Sequence, residues 1–262
     1  MNRISLIIDP YQHESYMLIK KLVSRKLTDK IRVINVLKSP LLIFSMRIPV
    51  LPVLVLDNEP VIAGAVEVSD VEQLITFHSL EVNIEEARRK FINGILTSPI
   101  LATITYAYKS FKPILDDKWI VSLLTGIHDL EKLNKFIDYI KINEKDILNS
   151  IKEELPISIL RNIVLKTLYY TYGKEYISRV DIIEFLSPAI LATLINNTLS
   201  INGLISYYLK LKEVQEISRD LYKILQYKVE ELYSNVVEIS REINRDKEYW
   251  DYVIARTNEF SY

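Results

Sequence analysis

The sequence predicts an α/β unit over residues 1–80 followed by a larger all-helical unit over residues 81–262, and three observations carry that prediction. Short runs of β-branched and aliphatic residues, too short for helices, all fall before residue 65. Beyond Leu80 every apolar pattern has helical spacing instead. Pro99, Pro113 and Pro156 punctuate that region, as prolines near helix starts do.

The elements follow in order. Leu6-Ile7-Ile8 reads as a first strand, and His13–Leu27 as an amphipathic helix. Ile31–Leu37 reads as a second strand and Leu41–Met46 as a short helix. Val53–Leu56 and Val61-Ile62-Ala63 form a hairpin around the turn Asp57-Asn58-Glu59-Pro60, where Asn tolerates the left-handed region, and Gly64 closes it. Pro52 at the start of the third strand breaks no ladder bond. Ser69 as N-cap with Glu72 three residues on reads as a capping box opening a helix to about His78. Helices are then expected at Glu85–Thr97, Ile100–Phe111, Lys118–Ile127, Leu130–Ile140, Glu144–Glu154 and Ser158–Tyr172, the last with Gly173 as C-cap. Leu204–Arg245 carries a long apolar stripe, which suits a core-wrapping helix, a broken one, or one that packs on a second subunit.

The order βαβα–Pro–ββα, with LPVLVLDNEPV at its centre, resembles the thioredoxin fold. The resemblance covers roughly residues 1–80. It implies a cis Leu51–Pro52 bond, with the Leu51 backbone facing a groove in which that family docks extended peptides or thiols. An α/β domain of this kind followed by a helical one resembles the glutathione-transferase architecture. GKEYISRVDIIEFLSPAIL is similar to that family's Ser-x-x-Asp capping box at the start of a buried core helix, with Ser178 as N-cap and Asp181 reaching back to it. Where the family places an acidic or amide residue followed by Ser to hold glutathione, this chain has Ala63-Gly64-Ala65-Val66.

Composition narrows the chemistry. The chain has no cysteine, which excludes disulfides, thiolate metal sites and a cysteine nucleophile. In redox-active members of the resembled family a Cys-x-x-Cys motif opens the first helix; here that place reads His13-Glu14-Ser15-Tyr16. Disulfide exchange needs a thiolate, so thiol–disulfide oxidoreductase activity is ruled out. The 33 basic residues nearly balance the 34 acidic ones, so nucleic acid is not an expected partner. The most apolar windows, Ile95–Ala107 and Ile182–Ile195, are shorter than the roughly 18–20 residues needed to span a bilayer. The N-terminus has no signal-peptide pattern, so a cytoplasmic location is expected. Few Met and Gly with abundant Ile, Lys, Glu and Tyr suit a heat-adapted organism.

The candidate ligand or peptide-groove residues are Tyr11, His13, Ser15, Leu51 and Pro52. A helix N-terminus offers free N–H groups to an anion, but the same first turn also reads as a plain polar cap by Asp9 or Gln12. Ser15 and Tyr16 have no visible base beside them, so no catalytic residue is assigned. His78 and His128 lack metal-ligand spacing, and no metal or cofactor is expected. The aromatic ending from Tyr249 to Tyr262 is either an exposed recognition patch or a segment packed back onto the protein. The expected function is a redox-inactive scaffold acting through a protein partner or a homo-oligomer. The alternative is a glutathione-transferase-like enzyme or carrier of a small molecule between the two domains.

Overall fold

The computed structural model describes residues 4–167, 182–183, 187–193 and 211–258. The Ser178/Asp181 capping box lies outside the described residues.

Four strands form one mixed sheet in the order β2-β1-β3-β4. The inner strand β1 (Ile4–Ile8) runs parallel to β2 (Arg32–Asn35) and antiparallel to β3 (Val53–Leu56). β4 (Glu59–Ala63) runs antiparallel to β3 at the far edge. Every residue of β1 is buried, because both faces of the sheet are covered; an uninterrupted apolar run is what such a strand needs. Ile4, Leu6, Ile8, Val33, Leu54 and Ile62 pack with helix α1 (His13–Ser24) and helix α3 (Val68–Phe77). Ile7, Val53, Val55 and Ala63 join a second apolar cluster with the helices that follow residue 80.

The hairpin turn is tighter than the sequence suggested. Asp57 and Asn58 both have positive φ, +50° and +70°, which makes a two-residue turn of the kind whose twist matches the flanking strands. Glu59 and Pro60 therefore belong to β4. Proline is accommodated there because β4 is an edge strand. The pairing slips between Leu54 and Val55, leaving Val61 as an extra, bulged residue. His128 Nε2 lies 2.7 Å from the Val61 carbonyl oxygen. The helix α11 (Lys247–Asn258) packs against β2, the other edge strand, and joins the cluster formed with α1 and α3.

The Leu51–Pro52 peptide bond is cis, and the Pro52 carbonyl accepts from the Gly64 N–H at 2.8 Å. Gly64 has φ +83°, and a Cβ there would stand 2.8 Å from Val50 Cγ1 and 3.1 Å from the Gly94 Cα. Both the backbone conformation and the close approach require glycine.

The cap of α3 differs from the expected one by two residues. Glu67 is the N-cap, and Asp70 accepts from the Glu67 N–H at 2.8 Å; Ser69 is exposed within the first turn and Glu72 pairs with Arg25. The apolar rhythm decides this, since Val68 and Val71 must both face the sheet and the helix has to start ahead of Val68. The helix ends at Phe77 with His78 in the left-handed conformation.

Beyond the sheet, α4 (Ile84–Thr97) is capped by the Asn83 side chain and α5 (Pro99–Tyr108) by Ser98. Ser98 also donates to the Pro49 carbonyl at 2.9 Å, tying the helical region to the loop before β3. α6 (Lys112–Leu115) is a single turn, and α7 (Lys118–Thr125) ends at Gly126 with φ +75°. The two helices expected at 130–154 are one, α8 (Leu130–Ile151), because no breaker lies between Ile140 and Glu144. α9 (Glu154–Thr167) starts one turn ahead of the expected Ser158, with Pro156 in its first turn, where a missing N–H costs nothing. α10 (Leu211–Arg245) is unbroken over 35 residues and buries Val214, Ile217, Leu221, Leu225, Leu232 and Val236, so it wraps the core. α4 and α7 lie on the sheet; α5, α9 and α10 stack beyond them. No helix among the described residues is long and apolar enough to cross a membrane.

Candidate functional site

Two places deserve the name of candidate site: the first turn of α1, where the sequence pointed, and a groove on the other side of the same helix.

At the first turn, Gln12 occupies the N-cap position without a side-chain cap bond, and its Oε1 is 3.4 Å from the Ser15 hydroxyl. Ser15 is fully buried. Asp9 accepts from the Tyr11 N–H at 3.0 Å. His13 is half-buried, and its Nδ1 is buried without a hydrogen-bond partner among the described residues. Over this turn lies α11. The Tyr249 hydroxyl donates to the Pro10 carbonyl at 2.8 Å, and the Trp250 ring packs on Tyr11 with centroids 5.1 Å apart. Tyr249 meets Tyr16 edge-on at 4.9 Å. Tyr249 and Trp250 of the aromatic ending are therefore packed back onto the protein, while Phe260 and Tyr262 lie outside the described residues.

Tyr16 is the hinge of this contact. Its hydroxyl donates to Asp246 at 2.8 Å, has Glu242 at 3.2 Å, and accepts from the Lys20 ammonium at 2.9 Å. Burial pushes the Tyr16 phenol above its ordinary value, and burial does the same to Tyr249. Asp246 closes the ring through an ion pair with Lys20 at 2.8 Å and also caps α11 by accepting from the Tyr249 N–H at 3.0 Å. The Lys20 hydrogen bond holds the Asp246 carboxyl below its ordinary 3.8. A carboxyl lowered on folding contributes stability at pH above its ordinary value, and that contribution is lost as pH falls through the lower folded value. The Asp246→Asn variant is therefore expected to show a shallower loss of stability in acid than wild type, below pH 3.8, with a lower starting stability at pH 7. Urea midpoints measured from pH 7 down to pH 2 check this.

Leu51 is half-buried against the helical-side cluster, and Pro52 is buried. Neither they nor Tyr11, His13 and Ser15 line the groove.

The groove has a volume of about 610 Å³ and runs between α1, the Gly64–Ser69 segment, α4 and α9. Leu18, Val66, Val68 and Leu96 form an apolar floor. Arg89 clasps Glu67 through two hydrogen bonds of 2.5 and 2.9 Å, which holds the Glu67 carboxyl below its ordinary range. Arg25 is occupied by Glu72. Lys21, Arg161, Glu14 and Glu154 also line the groove and form no salt bridge among the described residues, although Lys21 acts on the Glu67 carboxylate through space. A second recess of about 810 Å³ shares Glu67, Ser69, Arg89 and Asn93 and continues along α4 to Glu85. Of the groove residues the sequence singled out only Gly64 and Ser69, both for structural roles; the charged ones did not stand out. Lys21 and Arg161 are 140 positions apart, and no local pattern brings α1 and α9 together.

Beneath the groove, Lys90 and Asp70 form an ion pair with Nζ to Oδ1 at 2.5 Å, both side chains without solvent exposure. Glu86 supplies Lys90 with a second carboxylate at 2.8 Å. Burial pushes the Asp70 carboxyl up, against the pull of Lys90. His128 is engaged through both ring nitrogens, by Ser122 and by Val61. Among the described residues no group of three His, Asp or Glu side chains could hold a metal ion.

No protein-family model, characterised protein or solved structure matches the chain.

Proposed function

We propose that the protein is a redox-inactive scaffold that acts by holding a protein partner, built on a thioredoxin-like sheet unit joined to a helical domain. The sheet order, the single parallel pair and the cis proline before β3 support the thioredoxin-like reading. The order of the two parts along the chain supports a glutathione-transferase-like arrangement, with the boundary near residue 80. One observation carries the functional reading. The turn at which such folds place their reacting group has no thiol, its serine is fully buried, and the chain's own C-terminal helix is bonded across it. A nucleophile needs access and an oriented base; Ser15 is fully buried, and its hydroxyl has Gln12 rather than His13 beside it.

The alternative, a transferase-like enzyme or carrier of a small molecule, draws support from the charged groove alone. One experiment separates the two. The full-length protein is incubated with glutathione and a chromogenic halonitrobenzene, and a second sample is weighed by native mass spectrometry. No conjugation above the uncatalysed rate, together with a defined homo-oligomer or a stoichiometric protein partner, is the expected result. Turnover that disappears in the Ser15→Ala or His13→Ala variant would overturn the scaffold reading.

A further inference from the structure

We propose that the groove between α1 and α9 is the docking site for an extended peptide segment of mixed charge belonging to the partner, gripped through its side chains. The proposal rests on the scaffold reading and gives the partner a chemistry. Three features of the groove converge on it.

First, its charges outside any salt bridge among the described residues are of both signs. Glu14 and Lys21 stand seven positions apart on α1, and Glu154 and Arg161 seven apart on α9. At 1.5 Å per residue each wall therefore presents a carboxylate and a cation about 10 Å apart along its axis. A simple anion would use one end and leave the other unmatched; a segment of about three extended residues spans that distance. Second, the floor of Leu18, Val66, Val68 and Leu96 is apolar. It suits a strand-like segment whose alternate side chains point down while the others reach the charged walls. Third, Asn93 lies in both recesses, exposed, its side-chain amide without a partner among the described residues. An amide offers a donor and an acceptor together, which a peptide unit can match. The two recesses follow α4 from Glu85 to Thr97, about 18 Å, or five to six extended residues.

The test uses the full-length protein and four end-blocked hexapeptides that alternate valine with a polar residue: Glu and Lys in turn, Glu only, Lys only, or Ser only. Titration calorimetry is expected to give the tightest binding for the peptide of both signs. The double variant Lys21→Glu/Arg161→Glu is expected to weaken it by about tenfold and to shift preference toward the Lys-only peptide. Neither position forms a salt bridge or side-chain hydrogen bond among the described residues, so the variant should fold, and circular dichroism checks this. The proposal is overturned if no peptide binds, if the Glu-only peptide binds best, or if the double variant binds the mixed peptide unchanged. Mass spectrometry of the recovered peptide keeps the two readings apart. A peptide cleaved or modified by the protein would overturn the scaffold reading and leave the groove assignment standing.

Discussion

The Lys90→Met variant is expected to lose about 3–5 kcal/mol of stability at neutral pH, because it leaves Asp70 as a buried charge with no cation. The pair joins α3 to α4, and so joins the sheet layer to the helices. In wild type, burial already pushes the Asp70 carboxyl up, with Lys90 opposing it. Without the lysine the carboxyl rises further. A raised carboxyl makes the folded state bind more protons than the unfolded chain, so stability falls as pH rises through the folded value. The deficit of Lys90→Met relative to wild type should therefore shrink toward acid. The Lys90→Met/Asp70→Leu variant removes both charges and should recover most of the loss, short of about 1 kcal/mol for the bond from the Glu67 N–H. Urea unfolding of both variants at neutral and acid pH decides the matter. Equal deficits for the single and double variants would show that the pair has little energetic weight.

One step along the same helix, Phe91→Ala is expected to cost about 3–5 kcal/mol by a different route. Phe91 is fully buried and meets the Phe111 and Phe136 rings edge-on at 5.5 and 5.7 Å. Truncation loses the transfer energy of the ring and leaves a cavity lined by two aromatics. Phe91→Leu keeps most of the volume and should cost less than about 1.5 kcal/mol. The Phe91 loss should not vary with pH, unlike that of Lys90. A guanidinium midpoint lowered by the alanine variant, with unchanged slope, is the expected observation.

Local chemistry was legible in the sequence, and distant pairing was not. LPVLVLDNEPVIAG carries its hairpin in its own residues: a proline, a β-branched run, an Asp-Asn turn and a glycine. The redox exclusion followed from the missing cysteines alone. The α3 cap was misplaced because Ser-x-x-Glu satisfies the capping pattern as well as Glu67 and Asp70 do, and only the burial of Val68 chooses between them. Lys90 sits in ARRKF and reads as one solvated charge among three; its burial depends on Asp70, twenty positions earlier. The groove is harder still, since its walls come from α1 and α9 and its meaning lies in charges outside any salt bridge among the described residues. The sequence set His13 and Ser15 at the start of α1, as the structure has them, but the helix that covers that turn begins more than 230 positions later.

Both edge strands of the sheet carry features that disfavour the addition of a fifth strand. β2 is packed against α11; along β4, Pro60 has no N–H to offer and the Val61 carbonyl faces the His128 ring. Main-chain ladders accept almost any sequence, so a protein with open margins risks indiscriminate self-association. On the reading proposed above, a partner chain would then be recognised by what its side chains carry rather than by its main chain.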